Sequence, residues 1–174
     1  MNKCFNTLTN WTLVINFIAT IISLFIKIMP LYLVTVFINM LLFIIIAGNI
    51  IIITHGKNIA NKCKTTKKKL DFTNIFLHII IPICFIVYWC WFIRNKSNIN
   101  QISKPFVFIM ISIIISFFIA AIYFVLMKLD ITFDYDLDQK ILWLYIIGYI
   151  ILTIGFCILS PTIIRTLQKN RINI

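Results

Sequence analysis

Residues 31–54 read LYLVTVFINMLLFIIIAGNIIIIT, an unbroken stretch without a charged side chain or a proline. About 20 apolar residues are needed to carry a helix across a hydrocarbon core about 30 Å thick. In lipid every backbone N–H and C=O must be satisfied internally. The stretch is too long and too uniformly apolar for a barrel strand of about 10 alternating residues. It therefore reads as a transmembrane helix.

Working outward, the short gap Lys27–Pro30 separates this stretch from a second apolar run, Thr9–Ile26, interrupted only by Asn16, Thr20 and Ser23. A single helix over residues 11–54 would extend about 66 Å at 1.5 Å per residue, twice the membrane, so a tight turn is required between the runs. Pro30 favours it, because the residue before a proline leaves the helical region. Downstream lie three more runs, Phe72–Ile93, Phe106–Met127 and Ile141–Ile164. The expected fold is an all-α, polytopic bundle of five transmembrane spans (about 9–26, 31–54, 72–93, 106–127 and 141–164), forming one transmembrane domain over 1–174. Trp11, Tyr32, Trp89, Trp91 and Trp143 fall near run ends, as an aromatic belt requires. The first run is too long for the apolar core of a signal peptide, and no A-x-A site follows it.

Composition agrees. The 174 residues are 61% apolar and 12% charged, against about 45–50% and about 25% in soluble domains. A water-soluble globule is excluded, and so is disorder, which needs far more polar surface. Sixteen Lys/Arg face five acidic residues, for a net charge of +11. These cations occupy short gaps and have no soluble module on which to build a nucleic-acid face. Their expected partners are membrane lipids with anionic headgroups. The segment His55–Lys69 is the richest, and Lys62, Lys64, Lys67, Lys68 and Lys69 form the expected lipid-binding set. By the positive-inside rule this loop is cytoplasmic, although Arg165, Lys169 and Arg171 then fall on the disfavoured side. Abundant Ile, Asn, Lys and Phe point to an AT-rich genome, hence the expectation of a bacterial cell membrane.

One consequence holds in either orientation. Spans one, three and five all begin on the same side, so Thr9, Asn10, the start of span three, the lysine segment and the acidic stretch Asp130–Asp138 share one membrane face.

Signatures of soluble enzymes are missing: no G-x-S-x-G, no glycine-rich phosphate loop, no H-E-x-x-H and no carboxylate within a span. His55 and His78 are too far apart for a local metal motif, and Cys4, Cys63, Cys84, Cys90 and Cys157 form no C-x-x-C pair. No metal or cofactor is expected, and the cysteines read as small hydrophobes. Gly148 and Gly155, seven apart, read as a close-packing face.

His78 stands out. It lies six residues into span three, about 9 Å below its start, and an ionisable side chain at that depth is a functional candidate by default. Asn74 and Asp71 precede it on one helical face. Pro82 cannot donate to the His78 carbonyl and should bend the helix there. The plain alternative is a histidine that bonds helices together. Thr9 likewise reads two ways, as a helix N-cap or as a hydroxyl with chemistry to do.

The stretch Asn74-Ile-Phe-Leu-His78-Ile-Ile-Ile-Pro82, with the aromatic run to Trp89, resembles a motif of the androgen-induced-protein-like family of multipass membrane proteins. It is closest to that family's uncharacterised bacterial relatives. The segment from Phe5 to Val14 resembles their F-T-x-Q-S-N-x-L-V box and the L-T-x-x-x-L-V stretch of eukaryotic members. Phe133-Asp134-Tyr135 with Asp138 is similar to an aromatic loop before the family's last span. Two features depart from the pattern: the family usually has six spans rather than five, and the bacterial box's threonine falls on Asn6. The resemblance implies an intramembrane Thr/His hydrolase of lipid (fatty-acid) esters, with Thr9 and His78 catalytic and Asn74 and Asn10 supporting. The alternative is a non-catalytic multipass protein, either a transporter subunit or a partner-binding scaffold. Ion-coupled transport is disfavoured, since its relays use intramembrane Asp/Glu and paired helix breaks.

Overall fold

The computed structural model describes residues 8–25, 29–62, 66–96, 102–128 and 139–172. All regular elements among them are helical: α1 (Leu8–Phe25), α2 (Leu31–Lys62), α3 (Lys67–Ile75), a π-helical segment (Phe76–Ile80), α4 (Ile81–Lys96), α5 (Pro105–Lys128) and α6 (Gln139–Ile172). Four stretches are long and apolar enough to cross a membrane: Leu31–Lys57, Asp71–Asn95, Pro105–Ile122 and Trp143–Lys169. The first expected span is a shorter apolar helix, Thr9–Phe25, in the same bundle. The result is an all-α multipass architecture.

Prolines mark two helix starts. Pro30 leads into α2, its carbonyl accepting from Leu33 N–H at 3.0 Å. Pro105 opens α5, where a missing N–H is no loss, and the Lys104 carbonyl before it accepts from Phe108 N–H at 3.1 Å. Pro161 lies inside α6 and leaves the Cys157 carbonyl without its helical donor. The Ser160 hydroxyl donates to that carbonyl at 2.8 Å, so the helix continues.

α2 is the central rod, packing against all the other helices. Its Leu31, Val34 and Leu41 are fully buried, and Phe37 stacks on Trp89 with ring centroids 5.4 Å apart. The outward faces are apolar too, with Phe17, Phe25, Phe72, Phe118 and Leu144 among the exposed side chains. A surface of this kind suits lipid and not water.

Several expectations need correcting. Spans two and five were expected to end at Thr54 and Ile164, and their helices run on to Lys62 and Ile172. The reason is that buried apolar positions persist past the apolar runs: Ile59 and Ala60 are buried on α2, and Leu167 packs against the core from α6. Most of the expected lysine loop is thus helix. Lys62 ends α2, Lys67, Lys68 and Lys69 make the first turn of α3 behind an N-cap at Thr66, and Lys64 lies outside the described residues, as does Asp130–Asp138. Trp89 is no belt residue. It is fully buried, because Asn16 on α1 accepts its indole N–H at 3.0 Å and so removes the reason for it to seek the interface. Gly148 and Gly155 face open space rather than a packed neighbour.

Candidate functional site

α1 carries a polar stripe on its inner face. Thr9, Thr12, Asn16 and Ser23 are all buried, whereas Val14, Phe17, Ile18 and Ile21 are exposed. Positions three and four apart share one helical face, and this face meets the rod formed by α3, the π segment and α4. Three contacts stitch the seam: Thr9 to His78, Asn16 to Trp89, and Ser23 to Tyr88. The partner numbers rise broadly together, so α1 runs parallel to that rod and both begin on the same side of the bundle.

At the head of the seam, Thr9 Oγ1 and His78 Nε2 are 2.7 Å apart. Thr9 is 4% exposed and His78 8%, so the pair is shielded by protein. Thr9 is the second residue of α1, not its cap, and its hydroxyl is directed across the helix interface. Any residue capping α1 would precede Leu8, outside the described residues.

Local helical geometry presents the imidazole. His78 sits at the centre of the π segment, where Ile81 N–H donates to the Phe76 carbonyl five residues back. A π turn inserts one residue into the helix and recurs at functional sites. Pro82 follows by four and cannot donate to the His78 carbonyl, so the helix is locally rewound where the sequence anticipates a bend. The ring lies on the backbone of Gly48 in α2: a Cβ built there would stand 2.7 Å from Nε2 and 2.9 Å from Cγ. Glycine is required here by close approach rather than by backbone dihedrals.

A pair of amides ties the turn before the imidazole to α2. The second ring nitrogen, Nδ1, is buried and makes no hydrogen bond. Asn74 is itself buried and donates from Nδ2 to Asn49 Oδ1 at 3.1 Å, and Asn49 Nδ2 donates to the Ile45 carbonyl at 2.5 Å. In the tautomer with the proton on Nδ1, Nε2 is the acceptor. The Thr9 hydroxyl is then the donor, which is the polarity that a hydroxyl nucleophile and a base require.

The structure thus brings together Thr9, His78 and Asn74. Asn10 is half-buried and projects about 100° around α1 from Thr9. Asp71 is half-buried two turns before His78. Lys69 is exposed beyond it. Sequence reasoning passes over Gly48 and Asn49, although an adjacent Gly-Asn pair inside an otherwise apolar run was a signal available to it. Groups of three or more metal-ligating side chains do not occur among the described residues, and Cys84, Cys90 and Cys157 are free. No family model, curated protein or solved structure matches this chain.

Proposed function

We propose that the protein is an intramembrane, threonine-type hydrolase of lipid (fatty-acid) esters. The observation that carries this reading is the buried Thr9–His78 pair, a hydroxyl and an imidazole nitrogen 2.7 Å apart, from residues 69 positions apart in sequence. The resemblance of the segments around both residues to the androgen-induced-protein-like family supports it.

The chemistry follows from the geometry. Thr9 Oγ1 attacks the ester carbonyl carbon as its proton passes to His78 Nε2. The carbonyl π pair moves onto oxygen, and when the tetrahedral species collapses the alcohol leaves with the proton from Nε2. Water then attacks the Thr9 acyl ester, with His78 again taking and returning a proton. Asn74, bonded to Asn49 of α2, anchors the turn that carries His78.

The test is hydrolysis of a fluorogenic medium-chain ester by the purified protein, measured beside Thr9→Ala and His78→Ala. Wild-type turnover that both substitutions abolish supports the hydrolase. A wild type no faster than its variants at any chain length leaves a non-catalytic scaffold held together by the same hydrogen bond.

A further inference from the structure

Two hydroxyls of α1, those of Thr12 and Thr20, make no hydrogen bond, and Thr12 is the more deeply buried and the nearer to Thr9. Thr12 is 1% exposed, yet its Oγ1 makes no hydrogen bond. Its polar neighbours along the seam are engaged elsewhere. Asn16 donates from Nδ2 to the Thr12 carbonyl at 2.9 Å and accepts from Trp89 at Oδ1, and Thr9 is bonded to His78. A buried hydroxyl with no partner in an apolar interior is unfavourable, and such a group in a native fold calls for an explanation.

Its position offers one. Thr12 follows Thr9 by three, so the two side chains sit side by side on one helical face, with about 5–6 Å between their Cβ atoms. In the proposed reaction the attacking oxygen approaches a carbonyl carbon from about 3–3.5 Å. The carbonyl oxygen lies about 1.2 Å beyond, and a donor stabilising the developing charge should be about 2.7–3.1 Å from that oxygen. A bent path through these points fits between neighbouring side chains at i and i+3. His78 is bonded to Thr9 Oγ1, whereas the Thr12 hydroxyl, three residues on, carries no bond and is available to a carbonyl oxygen.

We infer that Thr12 is a further catalytic residue, the hydroxyl that donates to the ester's carbonyl oxygen as it becomes an oxyanion. The inference rests on the hydrolase reading. In the attack step the Thr9 Oγ1–carbon bond forms and its proton moves to His78 Nε2. The π pair settles on the carbonyl oxygen and is held by the Thr12 O–H, which keeps its proton throughout. The hydroxyl has no partner in the resting protein because its partner arrives with the substrate.

This predicts an unusual pairing of effects. Thr12→Val preserves shape and removes only a hydroxyl that makes no bond in the resting fold. Its thermal midpoint in detergent should therefore equal or exceed that of the wild type, while kcat on the medium-chain ester falls about 10²–10³-fold with KM little changed. Thr12→Ser, which keeps the donor, should retain most of kcat. Wild-type turnover with an undiminished kcat in Thr12→Val overturns the inference and leaves the hydrolase standing. A Thr12→Val protein that melts earlier or fails to fold also overturns it, because the hydroxyl would then be holding the structure. Absence of turnover in the wild type overturns both.

Discussion

The His78 imidazole lies against the bare backbone of Gly48, in the volume that any larger side chain's Cβ would take. Two spans are locked at this point, and the ring's approach to Thr9 depends on the missing methyl.

Gly48→Ala should push the imidazole away from Thr9 and sharply reduce ester hydrolysis. Alanine is the better helix former by about 1 kcal/mol, whereas overpacking costs about 1–3 kcal/mol. The net change in stability should therefore be small and negative. An activity assay beside a thermal melt separates the effects, since most of the activity should disappear for a shift of a few degrees. Unaltered turnover would mean that the ring is not held here during catalysis.

Thr9 and His78 should behave as one unit. Thr9→Ala, His78→Ala and the double variant should have the same residual rate, because a base without its nucleophile contributes nothing. Thr9→Ser should keep part of the activity. If multiplying the two single losses reproduced the double, the pair would not be acting together.

The bundle was legible because its dominant determinant is local: an apolar run of sufficient length can satisfy its backbone in lipid only as a helix. His78 stood out as an ionisable side chain inside an apolar run, and Thr9 was singled out by the family resemblance. Helix alternation, which places the starts of spans one and three on the same face, allowed the two to meet. What could not be read is what depends on side-chain register between helices. Gly48 and Asn49 matter only because the rotation of α2 points them at His78 and Asn74, and a rotation of one residue would turn them to lipid. Trp89 shows the same limit. Its place near a run end suggested the interface, and a single hydrogen bond donated by its indole N–H to Asn16, 73 residues away, makes burial the better solution. The helix ends were missed because α2 and α6 continue to bury apolar side chains beyond the stretch that hydropathy alone marks.

Asn49 and Asn74 connect α2 to the turn before His78. Replacing either with leucine removes the bond between them and strands a polar group of the other, Oδ1 of Asn49 or Nδ2 of the buried Asn74, a loss of about 1–3 kcal/mol. The double replacement should cost less than the sum of the singles, because no orphan amide then remains. Unfolding in detergent measures this coupling. Hydrolysis should fall in all three variants, since each loosens the turn that orients the imidazole. A double variant with normal activity would reduce this pair to interhelical adhesion.

The lysines beginning α3 make a prediction about lipid rather than chemistry. Lys67, Lys68 and Lys69 occupy the first turn, where the partial positive charge of the helix N-terminus disfavours cations by about 0.3–1 kcal/mol each. Their presence at an unfavourable position fits a partner of opposite charge outside the protein. Each lysine near an anionic surface contributes about 1 kcal/mol. Replacing all three with glutamine should cut the enrichment of anionic over zwitterionic lipid around the protein in mixed nanodiscs. The difference between wild type and variant should shrink as salt rises, because screening weakens the surface charges responsible. Melting should be unchanged or slightly higher, since the repulsion at the helix terminus is relieved. An unaltered lipid profile would remove the headgroup role, and a collapse of the fold would make these lysines structural.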